Sequence, residues 1–257
     1  MGWRPRYTLI YPIKNYDGDR INVAKANRAF NACKPLVIPG FAVHFRVVLS
    51  PLHVVESQQW GDGMEKLTAE FYNRDTLTVA RELLGSHLVR VLDGERLVCR
   101  ITETEAYIGR CDKACHAYGY KRTARTETLF AHPGTAYIYL IYGMYHCLNF
   151  VTEPEGEPAA VLIRSLEVVS GFETIKHLRY PKQTGALTTY QQKNFLNGPG
   201  KLCKGLSLDR SFDGVDLTGD MLYVVRSGEV PKQIHTGPRI GIDYAQEAAD
   251  FPWRFWI

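Results

Sequence analysis

Between residues 87 and 152 the chain is written in twos. Residues 87–92 and 96–105 alternate in character and are joined by Asp93-Gly94; residues 135–142 and 145–152 repeat the arrangement around Gly143-Met144. Side chains on a strand point to opposite faces in turn, and Asp-Gly supplies the backbone that a two-residue hairpin needs, so the pattern predicts two antiparallel hairpins. In the second strand, strict alternation places Leu97, Cys99, Ile101, Glu103 and Glu105 on one face, with Val98, Arg100, Thr102 and Thr104 on the other. Two carboxylates then end an apolar face. A carboxylate held against apolar walls is costly to ionise, which is how proteins tune Glu for general acid or base work. The alternative is that both glutamates lie past the strand end and are solvated, as most charged residues are. In the other hairpin Tyr137, Tyr139 and Ile141 share one face, Ile138, Leu140 and Tyr142 the other, which leaves an aromatic tip.

The remaining pattern supplies helices to cover such a sheet. Asp75 is placed to N-cap a helix running to Leu84, with Leu77, Ala80 and Leu84 on one side and Gly85 ending it. Residues 121–130 hold a short helix, and His132-Pro133-Gly134 breaks the chain before the next strands. Residues 159–166 read as a buried strand with one charge, Arg164; residues 172–180 and 199–206 read as helices, the latter opened by Pro199. Residues 181–197 read as polar and loop-rich, and 221–226, 237–242 and the closing FPWRFWI as strands or core-covering segments. The expected architecture is a single α+β domain over residues 64–257, with a largely antiparallel curved sheet and flanking helices. Residues 1–63 carry a helical pattern at 23–33 and a strand pattern at 41–49, but no complementary surface for either. They read as an extension, loosely attached or arising from an upstream start, with a basic DNA-binding arm as the alternative.

Composition sets outer limits. The 257 residues, 45% hydrophobic and 23% charged, are ordinary for a globular protein. No run of about 18 apolar residues is present, so no membrane span is expected. The first 20 residues make a poor signal peptide because Pro12 and Lys14 interrupt their apolar stretch, which makes the cytoplasm the default compartment. The net charge of +4 lies in residues 1–63, while the rest is balanced. Within the balanced part, Arg110, Lys113, Lys121, Arg122 and Arg125 face one acid, Asp112, in a loop suited either to phosphates or to solvent. Of six cysteines, Cys99 and Cys147 fit small core positions; Cys111, Cys115 and His116, with His132 or His146, raise a zinc alternative, though their spacing matches no standard knuckle.

ETEAY at 103–107, a His eleven residues after its second Glu, PGTAYIYLIYGMYHCLN at 133–149, VLIRSLE at 161–167, GPGKLCKGL at 198–206 and GPRIGI at 237–242 together resemble the alkyladenine (3-methyladenine, methylpurine) DNA glycosylases, in a bacterial-type form. The likeness covers about residue 67 to the C-terminus, with the motifs in order. It implies a monofunctional enzyme that flips damaged purines out of double-stranded DNA and excises them, a monomer needing no metal or other cofactor, at work on the bacterial nucleoid. It assigns Glu105 as the base that activates water and Arg164 as its basic neighbour. Tyr107, His116 and Tyr139 become the walls that hold the flipped base, and Asn149 the residue restricting purines with a 2-amino group. Tyr142 at the tip of a protruding hairpin becomes the wedge inserted into DNA. Glu103 is expected to be structural. Two departures bear on lesion preference: Tyr120 stands where the family has a second loop Gly, and KRTARTETLF follows the bacterial pattern. No lysine stands out as a Schiff-base nucleophile, so strand cleavage is not expected.

Two other readings fit the residues alone. Side chains two apart on a strand are about 7 Å apart, so Glu103 and Glu105 would suit an inverting glycoside hydrolase. A basic loop beside an aromatic hairpin would equally suit a DNA-binding module without chemistry.

Overall fold

The computed structural model describes residues 64–257; the patterns at 23–33 and 41–49 lie outside them. Eight strands form one antiparallel sheet: β1 (His87–Leu92), β2 (Glu95–Ile108), β3 (Ala136–Ile141), β4 (Tyr145–Val151), β5 (Ala159–Ser170), β6 (Leu222–Val225), β7 (His235–Gly237) and β8 (Arg254–Trp256). The main path runs β3-β4-β5-β2-β1-β6, and β8 pairs with both β2 and β7. The helices are α1 (Ala69–Tyr72), α2 (Thr76–Glu82), α3 (Phe172–Arg179), α4 (Thr189–Lys193) and α5 (Pro199–Gly205). The domain is mixed α+β, as the sequence pattern predicts.

Local signals explain most of these boundaries. Asp75 caps α2 by accepting the Thr78 amide at 2.9 Å, and α2 lays Val79 and Ala80 into the core beside Leu97, Cys99 and Ile101. Asp93 and Gly94 turn β1 into β2 with φ of 50° and 85°. At the other hairpin the Met144 amide donates to the Ile141 carbonyl at 3.2 Å, and Tyr142 and Gly143 both have positive φ. The central turn residues are therefore Tyr142-Gly143 rather than Gly143-Met144. The hairpin is braced by α5, where a Cβ on Gly200 would meet the Tyr145 ring at 2.9 Å; only glycine permits that approach.

Three segments gain detail. The short helix expected within 121–130 is a 3-10 helix at Glu127–Phe130. The loop-rich 181–197 segment also contains α4, opened by a capping box between Thr188 and Gln191. Only the start of 237–242 is strand, since β7 ends at Gly237 and the chain then leaves the sheet.

One correction decides where the site lies. β2 exchanges partners along its length, pairing with β1 through Arg100 and with β8 from Glu103 to Glu105. At the changeover its pairing with β5 is irregular: Ile101 faces Leu166 and Thr104 faces Ile163, but Glu103 faces Ser165, leaving Thr102 and Arg164 unpaired. Each strand thus carries a bulge, which inserts a residue and breaks alternation. Before it, Leu97, Cys99 and Ile101 point into the core; beyond it, Thr104 and Ala106 do, and Thr104 donates to the Ala80 carbonyl of α2 at 2.8 Å. Glu103 and Glu105 do not continue the face of Leu97, Cys99 and Ile101. They face the other way, together with Tyr107.

Candidate active site

The bulged strands converge on a cavity of about 210 Å³, somewhat below the range typical of drug-sized ligand sites. Tyr107 of β2, Leu162 and Arg164 of β5, Tyr139 of β3, Asn149 of β4 and His116 from the loop after β2 all line it. The five strand residues are those that alternation, corrected for the bulges, sends to one side of the sheet, and the loop brings His116 to the same side.

Glu105 lies against this cavity with no exposed surface. Its Oε2 accepts from the Tyr107 hydroxyl at 2.8 Å and from Arg164 Nη1 at 3.2 Å, and Oε1 accepts from the Ile240 amide at 2.8 Å. Burial pushes its carboxyl above the usual range, opposed first by the Arg164 cation and then by the Ile240 and Tyr107 donors. That opposition of desolvation and donors describes a carboxylate available to take up a proton. Arg164 is shared: its Nε donates to Glu103 at 3.2 Å, and Glu103 accepts again from Arg254 Nη1 at 3.2 Å. Glu103 is thus placed between two arginines.

The aromatic walls are mutually fixed. The His116 ring stands edge-on to Tyr139 with centroids 4.6 Å apart, and Tyr139 lies 5.4 Å from Tyr137. His116 Nε2 faces Arg125 Nη2 at 3.4 Å, and Nδ1 faces the Tyr137 hydroxyl at 3.1 Å. Because arginine can only donate, Nε2 accepts and Nδ1 carries the hydrogen. Burial, helped by Arg125, lowers the His116 pKa to about 4, so the ring is neutral near pH 7. Asn149 is buried, with its amide nitrogen directed at the Tyr137 and Cys147 carbonyls. Tyr142, 82% exposed, stands at the cavity rim.

The structure therefore brings together all seven residues singled out by sequence. It adds others that the sequence left without a role: Ile240, whose amide reaches Glu105, Arg239 beside it, and Arg125, whose guanidinium lies 5.3 Å from the Tyr139 centroid. GPRIGI marked the first two as a motif, but nothing local disclosed what they would touch. The basic loop is largely spent within the protein, since Arg110 pairs with Glu153, Lys113 with Glu247 and Arg122 with Glu127. Tyr120 takes φ 62°, the left-handed backbone a glycine would adopt freely. As for the zinc alternative, among the described residues no three or more His, Cys, Asp and Glu are gathered to hold a metal.

The methylpurine-DNA glycosylase family profile matches residues 70–257. The chain belongs to the methylpurine-DNA glycosylase family. It is 52% identical over 195 residues to a protein of Clostridium perfringens strain SM101, covering 75% of this chain and 95% of the relative. It is 50% identical over 194 residues to one of Desulfitobacterium hafniense strain Y51, covering 76% and 96%. A Bacillus cereus protein (strain ATCC 14579) is 51% identical over 194 residues, covering 72% and 92%. All three are provisionally named 3-methyladenine DNA glycosylases. Membership makes this glycosylase a hydrolase of base-excision DNA repair. Among its described residues no helix is long and apolar enough to cross a membrane.

Proposed function

We propose that this glycosylase hydrolyses the N-glycosidic bond of alkylated or deaminated purines, the class of 3-methyladenine, 7-methylguanine, hypoxanthine and ethenoadenine, flipped out of duplex DNA. The catalytic unit is residues 64–257, acting as a monomer on nucleoid DNA in the bacterial cytoplasm. The observation that carries the reading is a wholly buried carboxylate, Glu105, held by three donors against an aromatic cavity. Tyr142 wedges into the place the nucleotide leaves, and the extruded base enters between Tyr107, His116 and Tyr139, whose π faces attract a ring made cationic by alkylation. Asn149 limits which purine edges fit.

Water then attacks C1′ of the deoxyribose while the bond to the base nitrogen breaks. The base departs with the bonding electron pair, and the water proton passes to Glu105. The ionised carboxylate also stabilises the positive charge developing on the sugar, and Arg164 orients it. An alkylated purine leaves as a neutral molecule, so one carboxylate suffices; a neutral lesion needs a proton on the leaving base and is more pH dependent. No Schiff-base step is involved, so the product is an intact strand with an abasic site.

The test is single-turnover release of base from duplexes containing 7-methylguanine, hypoxanthine or ethenoadenine. Glu105→Gln is expected to slow release by at least about 10³-fold while lesion binding persists. Release at the wild-type rate by that variant would remove Glu105 from the mechanism. If Glu103→Gln abolished release as well and small substrates sufficed, an inverting carboxylate pair would take its place.

A further inference from the structure

One buried ion pair has no part in the reaction above. Asp112 and Arg239 bind each other with both side chains wholly buried; Arg239 Nη2 donates to Oδ1 at 2.8 Å and Nη1 donates to Oδ2. Such a pair is a poor device for stability alone, because desolvating two charges cancels much of their attraction. Its remaining contacts, however, include Tyr107 and Ala114 of the cavity wall and the backbone next to Glu105. Arg239 Nη1 donates to the Ala106 carbonyl at 2.8 Å, between Glu105 and Tyr107, and Nη2 to the Ala248 carbonyl at 3.0 Å. The guanidinium carbon lies 4.7 Å from the centroid of the Tyr107 ring. Asp112 Oδ1 accepts the Ala114 amide at 2.9 Å, at the start of the turn that delivers His116. The next residue after Arg239 is Ile240, the amide donor to Glu105.

We propose that Arg239, locked by Asp112, is a positioning residue that holds the Ile240 amide on Glu105 and the Tyr107 ring against the cavity. The pair joins three chain segments that share no secondary structure: the end of β2, the loop carrying His116, and the stretch from 238 to 248. A planar fork with several fixed donors can do this at one point, and a lysine cannot. The inference rests on the reading of Glu105 as the base.

Its signature is in the pH dependence. The Ile240 donor favours ionised Glu105, so releasing it raises the carboxyl further and moves the acid limb of excision to higher pH. The groups facing Glu105 are Glu103 and Tyr107 from β2, Arg164 from β5, Cys147 from β4, Arg239 itself and, through Glu103, Arg254 from β8. Arg239→Lys keeps the charge while removing the fork.

Single-turnover release of 7-methylguanine, which leaves without a protonation step, is measured from about pH 5 to about pH 9 in the full chain. The variants are Arg239→Lys, Asp112→Asn, and a semisynthetic chain with the Ile240 amide replaced by an ester. The expected result is an acid limb moved up by about one pH unit, with roughly tenfold slower release on that limb and a recovering plateau. Should the side-chain variants fail to fold, the ester chain, in which no side chain changes, still tests the contact that Arg239 is said to hold. An unmoved limb in the ester chain, or uniform loss at every pH, overturns the proposal. Glu105→Gln is run alongside: its retained excision would sink the base assignment, while its inactivity beside an unmoved limb sinks the positioning role alone.

Discussion

At the scale of single residues, His116 shows how burial, reinforced by a neighbouring cation, sets a protonation state. A proton added to the ring would be cut off from water by burial and, at Nε2, would also face the Arg125 cation, so the folded protein resists it down to about pH 4, whereas the unfolded chain accepts it near 6.5. Between those values the unfolded chain binds a proton that the folded one refuses. The contribution of His116 is therefore complete above about pH 6.5 and is lost as pH falls toward about 4. His116→Phe keeps an aromatic wall without the titration. Thermal or denaturant unfolding across this window is expected to show a slope shallower by one proton in the variant. Equal slopes would mean that the ring titrates normally. Glu105, His116 and Tyr139 were legible as candidates because their motifs are local. The Ile240 contact was not, because its partner is 135 positions away in the chain and is a main-chain amide with no sequence signature.

At the scale of elements, the β3–β4 hairpin sets function against local preference. A turn with positive φ at both central residues favours Asn-Gly, and an aromatic in the first position is strained there. Tyr142 takes φ 52° and is 82% exposed, so it neither suits its backbone nor fills a core. Tyr142→Asn is expected to leave Tm unchanged or raise it by a few degrees, and to slow release from duplex DNA by about tenfold or more. Release from a lesion in a single strand, where nothing has to be unstacked, should suffer less. A fall in Tm together with unchanged release would show that the side chain serves the fold. The sequence pattern found this hairpin but set its turn one residue late, since Gly143 could serve either central position. The cap at Asp75 and the turn at Asp93-Gly94 were legible because each is completed within a few residues.

At the scale of the whole molecule, the sheet is organised by β2, which changes partner from β1 to β8 in mid-course. Alternation alone misassigned the face of Glu103 and Glu105. A bulge depends on where neighbouring strands start and stop, which no period within one strand reveals. The face of Tyr137, Tyr139 and Ile141 was legible because β3 and β4 pair without interruption.

The two bulges also bear on how such a site can be gained or lost. The strand offset is the same on either side of the irregularity, with Ile101 facing Leu166 and Thr104 facing Ile163. Removing the codons for Thr102 and Arg164 together would therefore leave two shorter strands in continuous register, with the core positions on both sides undisturbed. We expect that double deletion to give a folded, cooperatively melting protein without excision activity, and an unfolded product would contradict it. The cation beside Glu105 is one of the two surplus residues, so on the proposed mechanism a change of one codon in each strand separates a plain sheet from one equipped for chemistry.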